Sequence, residues 1–233
     1  MPAPSLSVII PAYNEETRIE PFLKEVIAFK QKTPYFKELI AVNDGSSDST
    51  QKILEKYKDK ISIIAHKKNM GKGAAIKTGV LAANMDFIVF LDADGSIPVY
   101  ELPKMYEALK KFSVVAGSRR MKESRVLIKQ PPSRIFAGKA FNLIVNILFP
   151  RLKHNDNLCG FKGMRRQIGK KIASRLISNG WVFDVEILVR TKKLGEKFGV
   201  IPIDWQDKPN SKMKLGLTTI RMFLQLLRLR LSL

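Results

Sequence analysis

Two aspartates, Asp92 and Asp94, stand one residue apart at the end of an apolar run in "FIVFLDADG". The run, residues 87–91, has the length and composition of a buried strand. Burying a carboxylate costs free energy unless a positive group meets it. Proteins often hold a hard divalent cation with few carboxylates and with the phosphates of a substrate. The pair therefore predicts a divalent-metal site, and the alternative is that one aspartate caps the next helix while the other is solvated.

Four other strand-like segments, 6–10, 38–43, 61–65 and 113–117, are each followed by a polar or glycine-bearing loop. The loop sequences are "PAYNEE", "NDGSSDST", "HKKNMGKG" and "GSRR". In α/β proteins with a parallel sheet, ligands bind outside the carboxyl ends of the strands. Together with the aspartate pair, the loops predict one shared binding site rather than a series of ordinary turns.

Two of these loops carry residues suited to a nucleotide. Asp44 in "DGSSDST" is placed to accept hydrogen bonds from a base or a ribose. Lys72 and the backbone N–H groups of "GKG" stand at a helix start, where a phosphate binds favourably. The spacing of a Walker loop and the GxGxxG fingerprint are both missing. We therefore expect a metal at Asp92 and Asp94 to bridge the diphosphate of a nucleotide.

The elements that must position these loops alternate along the first half of the chain. Helical apolar patterns lie between the strand-like segments, at residues 17–31, 48–60, 71–84 and 99–111. Alternating apolar strands and helices are typical of a parallel sheet covered on both faces. The sequence therefore predicts an α/β fold with a Rossmann-like, mostly parallel sheet and helices on both faces.

Charge distinguishes the two halves of this 233-residue chain, whose net charge is +20. Residues 1–117 hold 16 Lys and Arg against 14 Asp and Glu, whereas residues 118–233 hold 25 against 7. Such asymmetry favours an anionic partner of the second half, namely nucleic acid, a membrane surface or a phosphorylated substrate. The alternative is a solvated, lysine-rich surface. With a single cysteine, a disulfide framework within the chain is excluded.

Several motifs resemble those of a known family. The stretches "SVIIPAYNEE", "VNDGSSDST", "NMGKGAAIKTGVLAA" and "FLDADG" resemble the nucleotide-sugar half of glycosyltransferase family 2 enzymes with the GT-A fold. In the second half, "VAGSRR", "DNLCGFKGMRR" and "GWVFDVEILVR" are similar to the dolichyl-phosphate glucose and mannose synthase branch. "CGFK" followed by "GWVFDVE" is closer to the glucose type. The resemblance covers about residues 1–214.

The resemblance implies roles for the residues that match the family's motifs. It implies that Asp92 and Asp94 hold Mg²⁺ or Mn²⁺, and that Arg119 and Arg134 bind the phosphate of a lipid acceptor. It also implies a nucleotide-sugar site made of Pro11, Tyr13, Glu15, Asp44, Gly71, Lys72 and Asp92, closed by a loop that carries Ser211 and Lys212.

The catalytic residues implied in this way are Asp94, Arg134 and Asp184. Asp184 has two interpretations, because relatives with hydroxyl acceptors use a carboxylate base, whereas here it and Glu186 can also stabilise a helix N-terminus. Ser96 stands where mannose-type members often carry a glutamine that helps to bind metal. This departure leaves two protein ligands and again favours a glucose donor.

Two apolar helices with few polar residues are predicted in the second half. In residues 133–150 the polar side chains Lys139, Asn142 and Asn146 form one narrow stripe at helical spacing. Residues 215–233 are rich in leucine and are interrupted by arginines, which argues against a membrane span. We favour helices that lie in a membrane interface, and the alternatives are a core helix for the first and a dimer or core helix for the second.

The sequence as a whole predicts a GT-A domain at 1–214 and a basic amphipathic helix at 215–233. Within the domain, residues 1–120 would form the nucleotide-sugar and metal half and residues 121–214 the acceptor half. The reaction that the resemblance implies is the inverting transfer of a hexose from a nucleotide sugar to polyprenyl or dolichyl phosphate, with UDP-glucose favoured and GDP-mannose next. The protein would be cytoplasmic and peripheral on the inner face of the membrane, and would bind no nucleic acid.

Three other functions remain as alternatives. A family 2 transferase that acts on a glycan or protein hydroxyl is the nearest. A basic protein that binds nucleic acid or membranes without catalysis comes from another class, although no stacking pattern of aromatic and basic residues supports it. A sugar nucleotidyltransferase would need a glycine-rich loop where "PAYNEE" stands. A membrane-protein partner or a homodimer is also compatible with the leucine-rich tail.

Overall fold

The computed structural model describes residues 3–150, 152, 154–208 and 217–232, with side chains given from residue 220 onward in the last helix. The described strands are β1 (Leu6–Ala12), β2 (Phe36–Asn43), β3 (Ser62–Ala65), β4 (Phe87–Phe90), β5 (Val114–Ser118), β6 (Arg125–Ile128), β7 (Lys162–Arg165), β8 (Phe198–Pro202) and β9 (Asp204–Gln206). The described helices are α1 (Ile19–Gln31), α2 (Thr50–Glu55), α3 (Lys72–Ala82), α4 (Leu102–Leu109), α5 (Pro132–Leu148), α6 (Arg166–Ala173), α7 (Phe183–Lys193) and α8 (Leu217–Ser232).

Seven of these strands form one sheet in the order β3-β2-β1-β4-β7-β5-β8. All pairs in it are parallel except those of β7, which runs antiparallel to both of its neighbours, β4 and β5. The predicted mostly parallel α/β fold is thereby confirmed. Because β7 comes from the predicted acceptor half, strands of both halves share one sheet.

The central strands are buried on both faces, which explains their continuous apolar sequences. Every residue of β1 is buried. Leu6, Val8 and Ile10 pack in the core that includes α1 and α4, whereas Ile9 points to the opposite core, which includes α3, α6 and α7. This alternation follows from the two-residue repeat of a strand. The sheet is therefore fixed rigidly between two helical layers.

A third core joins α5, α7 and α8 beyond the carboxyl ends of the strands, and contains Phe141, Val185 and Leu226. Beside it, β6 and β9 form a separate parallel pair. An ion pair of Arg125 with the buried Asp204 holds this pair together. The backbone N–H of Gln206 donates a hydrogen bond to Ser96 O at 3.0 Å, which fastens the pair to the loop that carries the two aspartates.

The predicted polar stripe of α5 is divided: Lys139 is exposed, Asn146 is half-buried and Asn142 faces the protein. Asn142 is buried, and its Oδ1 accepts hydrogen bonds from the backbone N–H and the side-chain amide of Asn157 at 3.0 and 2.9 Å. As a consequence the apolar residues Phe136, Leu143 and Ile147 are left exposed. The helix therefore packs Asn142 inward together with Phe141 and Val145, and presents other large apolar side chains outward.

Candidate active site

The polar loops converge on one cavity of about 450 Å³ at the carboxyl ends of the strands. The parallel order of the sheet brings the ends of β1, β2, β4 and β5 to this edge, as the sequence predicts. The predicted site residues that line the cavity are Pro11, Tyr13, Glu15, Asp44, Gly71, Lys72, Asp92, Asp94, Arg119 and Arg134. Asp184 does not line it, and Ser211 and Lys212 lie outside the described residues.

Asp92 and Asp94 reach into the cavity from the loop that follows β4. Asp94 Oδ1 accepts a hydrogen bond from the backbone N–H of Ser96 at 2.9 Å, which fixes the orientation of the carboxylate. Burial and the neighbouring Asp92 carboxylate raise the pKa of Asp94. Repulsion from the neighbouring carboxylate thus disfavours the charged form of Asp94, and a cation beside the pair relieves this repulsion.

The residues around these aspartates fit a divalent cation. Asp92 Oδ1 is buried, and among the described residues it accepts no hydrogen bond of good geometry. A Cβ atom at Gly160 would lie 2.5 Å from Asp92 Oδ2, so only glycine leaves room for this carboxylate. No cluster of three or more acidic, histidine or cysteine side chains suited to a metal occurs in the described part of the chain. The protein thus offers two carboxylates, and substrate oxygens would complete the coordination.

Lys72 opens α3 beside these aspartates, and its Nζ lies 2.5 Å from Asp92 Oδ1. The Nζ atom also lies 5.1 Å from the ring centre of Trp181 and 5.9 Å from that of Phe183. Burial lowers the pKa of Lys72, but Asp92 and Asp184 raise it more, so that the pKa lies above its usual value. Lys72 therefore stays charged within a largely aromatic and acidic surrounding.

The amides of Gly71 and Gly73 at the start of α3 are bound within the protein, which differs from the expectation that "GKG" offers them to a phosphate. The Gly71 N–H donates to Asp44 Oδ2 at 2.8 Å, and the Gly73 N–H donates to Asn179 O at 2.7 Å. Gly71 has a φ of 100° and a Cβ there would overlap the Asn179 carbonyl, so glycine is required by both conformation and space. The motif thus packs the helix start onto residues 178–180.

Asp44 is held by a network that the sequence did not reveal. Its Oδ1 lies 2.7 Å from His66 Nδ1 and accepts the Met70 N–H at 2.9 Å. The other nitrogen of the His66 ring, Nε2, lies 2.9 Å from Thr78 Oγ1. His66 was not among the predicted site residues, because a lone histidine without metal-ligand spacing does not indicate a metal site. Its place directly after β3, at the start of one of the ligand loops, is the sequence feature that could have indicated a role in the site. His66 orients the carboxylate, and Asp44 in turn fixes the loop between β3 and α3.

Arg119 is fixed in the cavity wall by a buried acid. Its Nε and Nη2 donate to the two carboxylate oxygens of Asp156 at 2.9 and 2.6 Å, and its guanidinium lies 5.2 Å from the ring centre of Trp205. Burial lowers the pKa of Arg119, but Asp156 more than compensates, so that the pKa is raised. Of the five N–H groups of an arginine, the three not directed at Asp156 remain for an anion.

Arg134 lies in the first turn of α5 and lines the same cavity as Arg119. The distance from its Nη1 to Asp207 Oδ1 is 3.8 Å, which is a loose ion pair. The structure therefore brings the two predicted acceptor arginines to one cavity, one rigidly held and one loosely held.

Asp184 is placed beneath the cavity rather than in it. Its carboxylate is buried, and Oδ1 accepts a hydrogen bond from the fully buried Lys162 Nζ at 2.5 Å. Burial raises the pKa of Asp184, while Lys162 and Lys72 act in the opposite direction. A base must reach the proton that it removes, and this geometry favours an organising role over that of a general base.

Glu15 also lines the cavity, and Arg18 forms a bidentate ion pair with it. Arg18 Nε and Nη2 donate to the two carboxylate oxygens, both at 2.7 Å. Arg18, Trp181 and Trp205 line the cavity and were missed by the sequence analysis, although each lies near a recognised motif.

Comparison with known families decides the identity of the chain. A model of the family described as glycosyl transferase family 2 matches residues 7–173. The chain belongs to glycosyl transferase family 2. It is therefore an enzyme, a glycosyltransferase, and the interpretation as a binding protein without catalysis is set aside.

Named relatives of this family 2 enzyme are dolichyl-phosphate beta-glucosyltransferases. One of those from Trichomonas vaginalis, ALG5C, is 33% identical over 89% of this chain and 66% of its own length. That of Dictyostelium discoideum is 31% identical over 97% of the chain and 73% of its own length. That of Saccharomyces cerevisiae is 32% identical over 97% of the chain and 74% of its own length. The chain thus spans between 66% and 74% of the length of these three proteins.

Solved structures share the fold of this family 2 enzyme at low sequence identity. Glucosyl-3-phosphoglycerate synthase from Mycobacterium tuberculosis, in complex with Mn²⁺, UDP and phosphoglyceric acid, matches with a TM-score of 0.72 and 20% identity. The match covers 98% of this chain and 78% of that one. In the part of the chain that the structure describes, no helix combines the length and apolarity that crossing a membrane requires.

Proposed function

We propose that this enzyme transfers a hexose, with inversion, from a nucleotide sugar to a polyprenyl or dolichyl phosphate at a membrane surface. The observation that carries the proposal is the arrangement of charge in one cavity. Asp92, Asp94 and Lys72 line it together with the two arginines Arg119 and Arg134. UDP-glucose is the favoured donor and GDP-mannose the next, since the named relatives are dolichyl-phosphate beta-glucosyltransferases.

At the donor end, Asp92 and Asp94 would hold Mg²⁺ or Mn²⁺. When bound there, the ion supplies Lewis-acid stabilisation of the departing nucleoside diphosphate. Lys72 adds a second positive charge close to the same leaving group, and burial makes this charge more effective than it would be in water. Pro11, Tyr13, Glu15 and Asp44 line the remainder of the cavity and would enclose the nucleoside.

At the acceptor end, the enzyme needs orientation more than proton transfer. A lipid phosphate is already anionic at neutral pH, so it can attack the anomeric carbon without a general base. Arg119 and Arg134 would bind and align this phosphate, for which a planar guanidinium is well shaped. Asp184 is consistent with this chemistry because it is bound to Lys162 and does not line the cavity. The same observation disfavours a hydroxyl acceptor with Asp184 as base.

Replacing Arg119 by lysine is expected to raise the KM for the lipid phosphate about 10- to 100-fold with a smaller change in the affinity for UDP. Lysine keeps the charge but cannot hold Asp156 with one face and a phosphate with the other. Initial rates at varied acceptor concentration and UDP titration by calorimetry measure the two effects. Lys110→Arg, at the exposed position that follows α4, serves as the control. An unchanged acceptor KM would remove Arg119 from the acceptor site.

The surface around α5 and α8 supports a peripheral position on the membrane. Residues Phe136 and Ile147 are 75% and 69% exposed, and with Leu143 they form one stripe on α5. On α8, Ile220 and Leu224 form a second stripe, flanked by exposed arginines. Apolar stripes of this kind insert into a lipid interface, and basic residues beside them are attracted to the anionic inner leaflet. The lipid acceptor would therefore reach Arg134 from the bilayer.

Placing glutamate at both Phe136 and Leu143 is expected to weaken binding to vesicles of phosphatidylcholine and phosphatidylserine at least tenfold. Each large apolar side chain buried in lipid contributes about 1.5–3 kcal/mol, and a charge removes this contribution. Vesicle sedimentation measures the bound fraction. Leu81→Glu, at a 42% exposed apolar site on α3, is the matched control. Equal binding of the double variant and the control would contradict a membrane role of α5.

The test of the proposed function is a donor screen with a short polyprenyl phosphate, Mg²⁺ or Mn²⁺, and each radiolabelled nucleotide sugar in turn. Label that enters the organic phase from UDP-glucose, and disappears with EDTA, is the expected result. Label from GDP-mannose alone would change the donor and keep the acceptor. No transfer from any donor, together with measurable binding of UDP, would overturn the lipid acceptor.

A further inference from the structure

Lys72 lies against one of the two carboxylate oxygens through which Asp92 could hold a metal ion. Its Nζ lies 2.5 Å from Asp92 Oδ1, and among the described residues this buried oxygen accepts no hydrogen bond of good geometry. An ammonium group and a divalent cation cannot both approach one carboxylate oxygen closely, because they repel each other over a short distance. The contact therefore places an internal cation in competition with an external one.

The protein holds Lys72 in this place from several sides. The rings of Trp181 and Phe183 lie within 6 Å of Nζ, at 5.1 and 5.9 Å, where cation–π attraction is effective. Asp184, fixed by Lys162, adds a second negative charge to the surroundings of the ammonium. Gly71 and Gly73 anchor the start of α3 against residues 178–180, so the backbone of Lys72 has little freedom. We therefore expect the Lys72 ammonium group to leave Asp92 only by moving to another anionic partner, and not by moving into water.

We propose that Lys72 is a built-in competitor of the metal ion at Asp92, and that the diphosphate of the donor removes this competition. The inference rests on the proposed function, since it assumes that donor and metal share this cavity. A diphosphate brings several negative charges beside Lys72. The ammonium then turns from Asp92 to the phosphates, and Oδ1 becomes available to the metal. Metal and nucleotide consequently bind cooperatively, and each tightens the binding of the other by the same factor.

This arrangement has a consequence for the order of events. Without a nucleotide, Asp92 is already neutralised by Lys72, so the enzyme has little need of a metal. The complete site, with Asp92 and Asp94 both on the metal and Lys72 on the leaving group, assembles only when the donor arrives. Lys72 is in this sense a positioning residue for the metal as well as a contact for the diphosphate.

The test measures Mn²⁺ affinity directly, by electron paramagnetic resonance of free Mn²⁺, with and without saturating UDP and with no acceptor present. In Lys72→Met we expect Mn²⁺ to bind at least fivefold tighter than in the wild type when UDP is absent. The tightening caused by UDP should be several-fold smaller in this variant. Lys72→Arg, which keeps a cation beside Asp92, should bind Mn²⁺ within about twofold of the wild type.

The matched control is Lys208→Met, which removes the same charge from the wall of the same cavity. We expect its Mn²⁺ affinity to stay within about twofold of the wild type. An unchanged or weaker affinity in Lys72→Met overturns the inference, as does equal tightening in both variants, which would show a general charge effect. The Mn²⁺ titration uses no acceptor and is independent of the donor screen. If either outcome is found while the donor screen shows transfer of label, the inference about Lys72 fails and the proposed function stands. If Lys72→Met binds Mn²⁺ more tightly as expected but the donor screen shows no transfer of label, only the lipid acceptor of the proposed function is overturned.

Discussion

Replacing Asp94 by asparagine is expected to lower kcat/KM for transfer at least about a thousandfold while the protein remains folded. The amide has the shape of the carboxylate, and its oxygen can still accept the Ser96 N–H. What is lost is the negative charge that would hold the metal. Several kcal/mol of transition-state stabilisation depend on a bound metal, and each 1.4 kcal/mol corresponds to about a factor of ten in rate.

Transfer of label to the organic phase, at a Mn²⁺ concentration that saturates the wild type, measures this effect. A thermal unfolding curve checks the fold. Asp59→Asn, at an exposed position before the start of β3 and so on the side away from the carboxyl ends of the strands, removes the same charge and should retain full activity. If Asp94→Asn kept more than a tenth of the wild-type activity, Asp94 would not be a metal ligand. Restoration by a higher Mn²⁺ concentration would instead indicate weakened but preserved metal binding.

The second large effect is expected in stability. Lys162→Met should destabilise the enzyme by about 3–5 kcal/mol, because it leaves the buried carboxylate of Asp184 without its partner. The double variant Lys162→Met with Asp184→Asn should regain most of this loss, since no charge then remains unpaired. Urea unfolding followed by circular dichroism measures both. Lys58→Met, at an exposed position, should change stability by less than about 0.5 kcal/mol.

The same double variant decides the role of Asp184 in catalysis. With a phosphate acceptor no base is required, so we expect the folded double variant to transfer label within about tenfold of the wild-type rate. A folded double variant with activity reduced by more than a thousandfold would contradict this and make Asp184 a catalytic base. The ion pair with Lys162 would then have to open during the reaction.

The broad apolar surface of α5 is exposed, as its sequence pattern indicates, whereas its place in a membrane interface stays a prediction. The sequence suggested a helix with a narrow polar stripe and a broad apolar surface, and a place in the membrane interface. Within the stripe Lys139 is exposed, but Asn142 is turned inward, where it binds Asn157 and the backbone of Gly138. The amphipathic pattern alone cannot reveal this, because an amide is satisfied equally well by water and by a buried partner.

By itself, the sequence determined the α/β fold, the family, the edge of the sheet where the ligand loops meet, and the pairing of Asp92 with Asp94. Each follows from local information: apolar runs of strand length, helical spacing, and polar loops directly after strands. Parallel strands then bring loops that are distant in the chain to one edge without further specification. That is why Asp44, Lys72, Asp92 and Arg119 could be assigned to one cavity in advance.

Only the tertiary structure decided which partners hold these residues. β7, with the sequence "KGMR", lacks a run of apolar residues, yet it enters the centre of the sheet and carries the buried Lys162 to Asp184. His66 reaches Asp44, and Asp156 reaches Arg119, over separations of 22 and 37 residues. Such contacts depend on the packing of whole elements against one another, and no local pattern records them. The competition between Lys72 and a metal at Asp92 is of the same kind, since it arises from two loops that meet only in the folded protein.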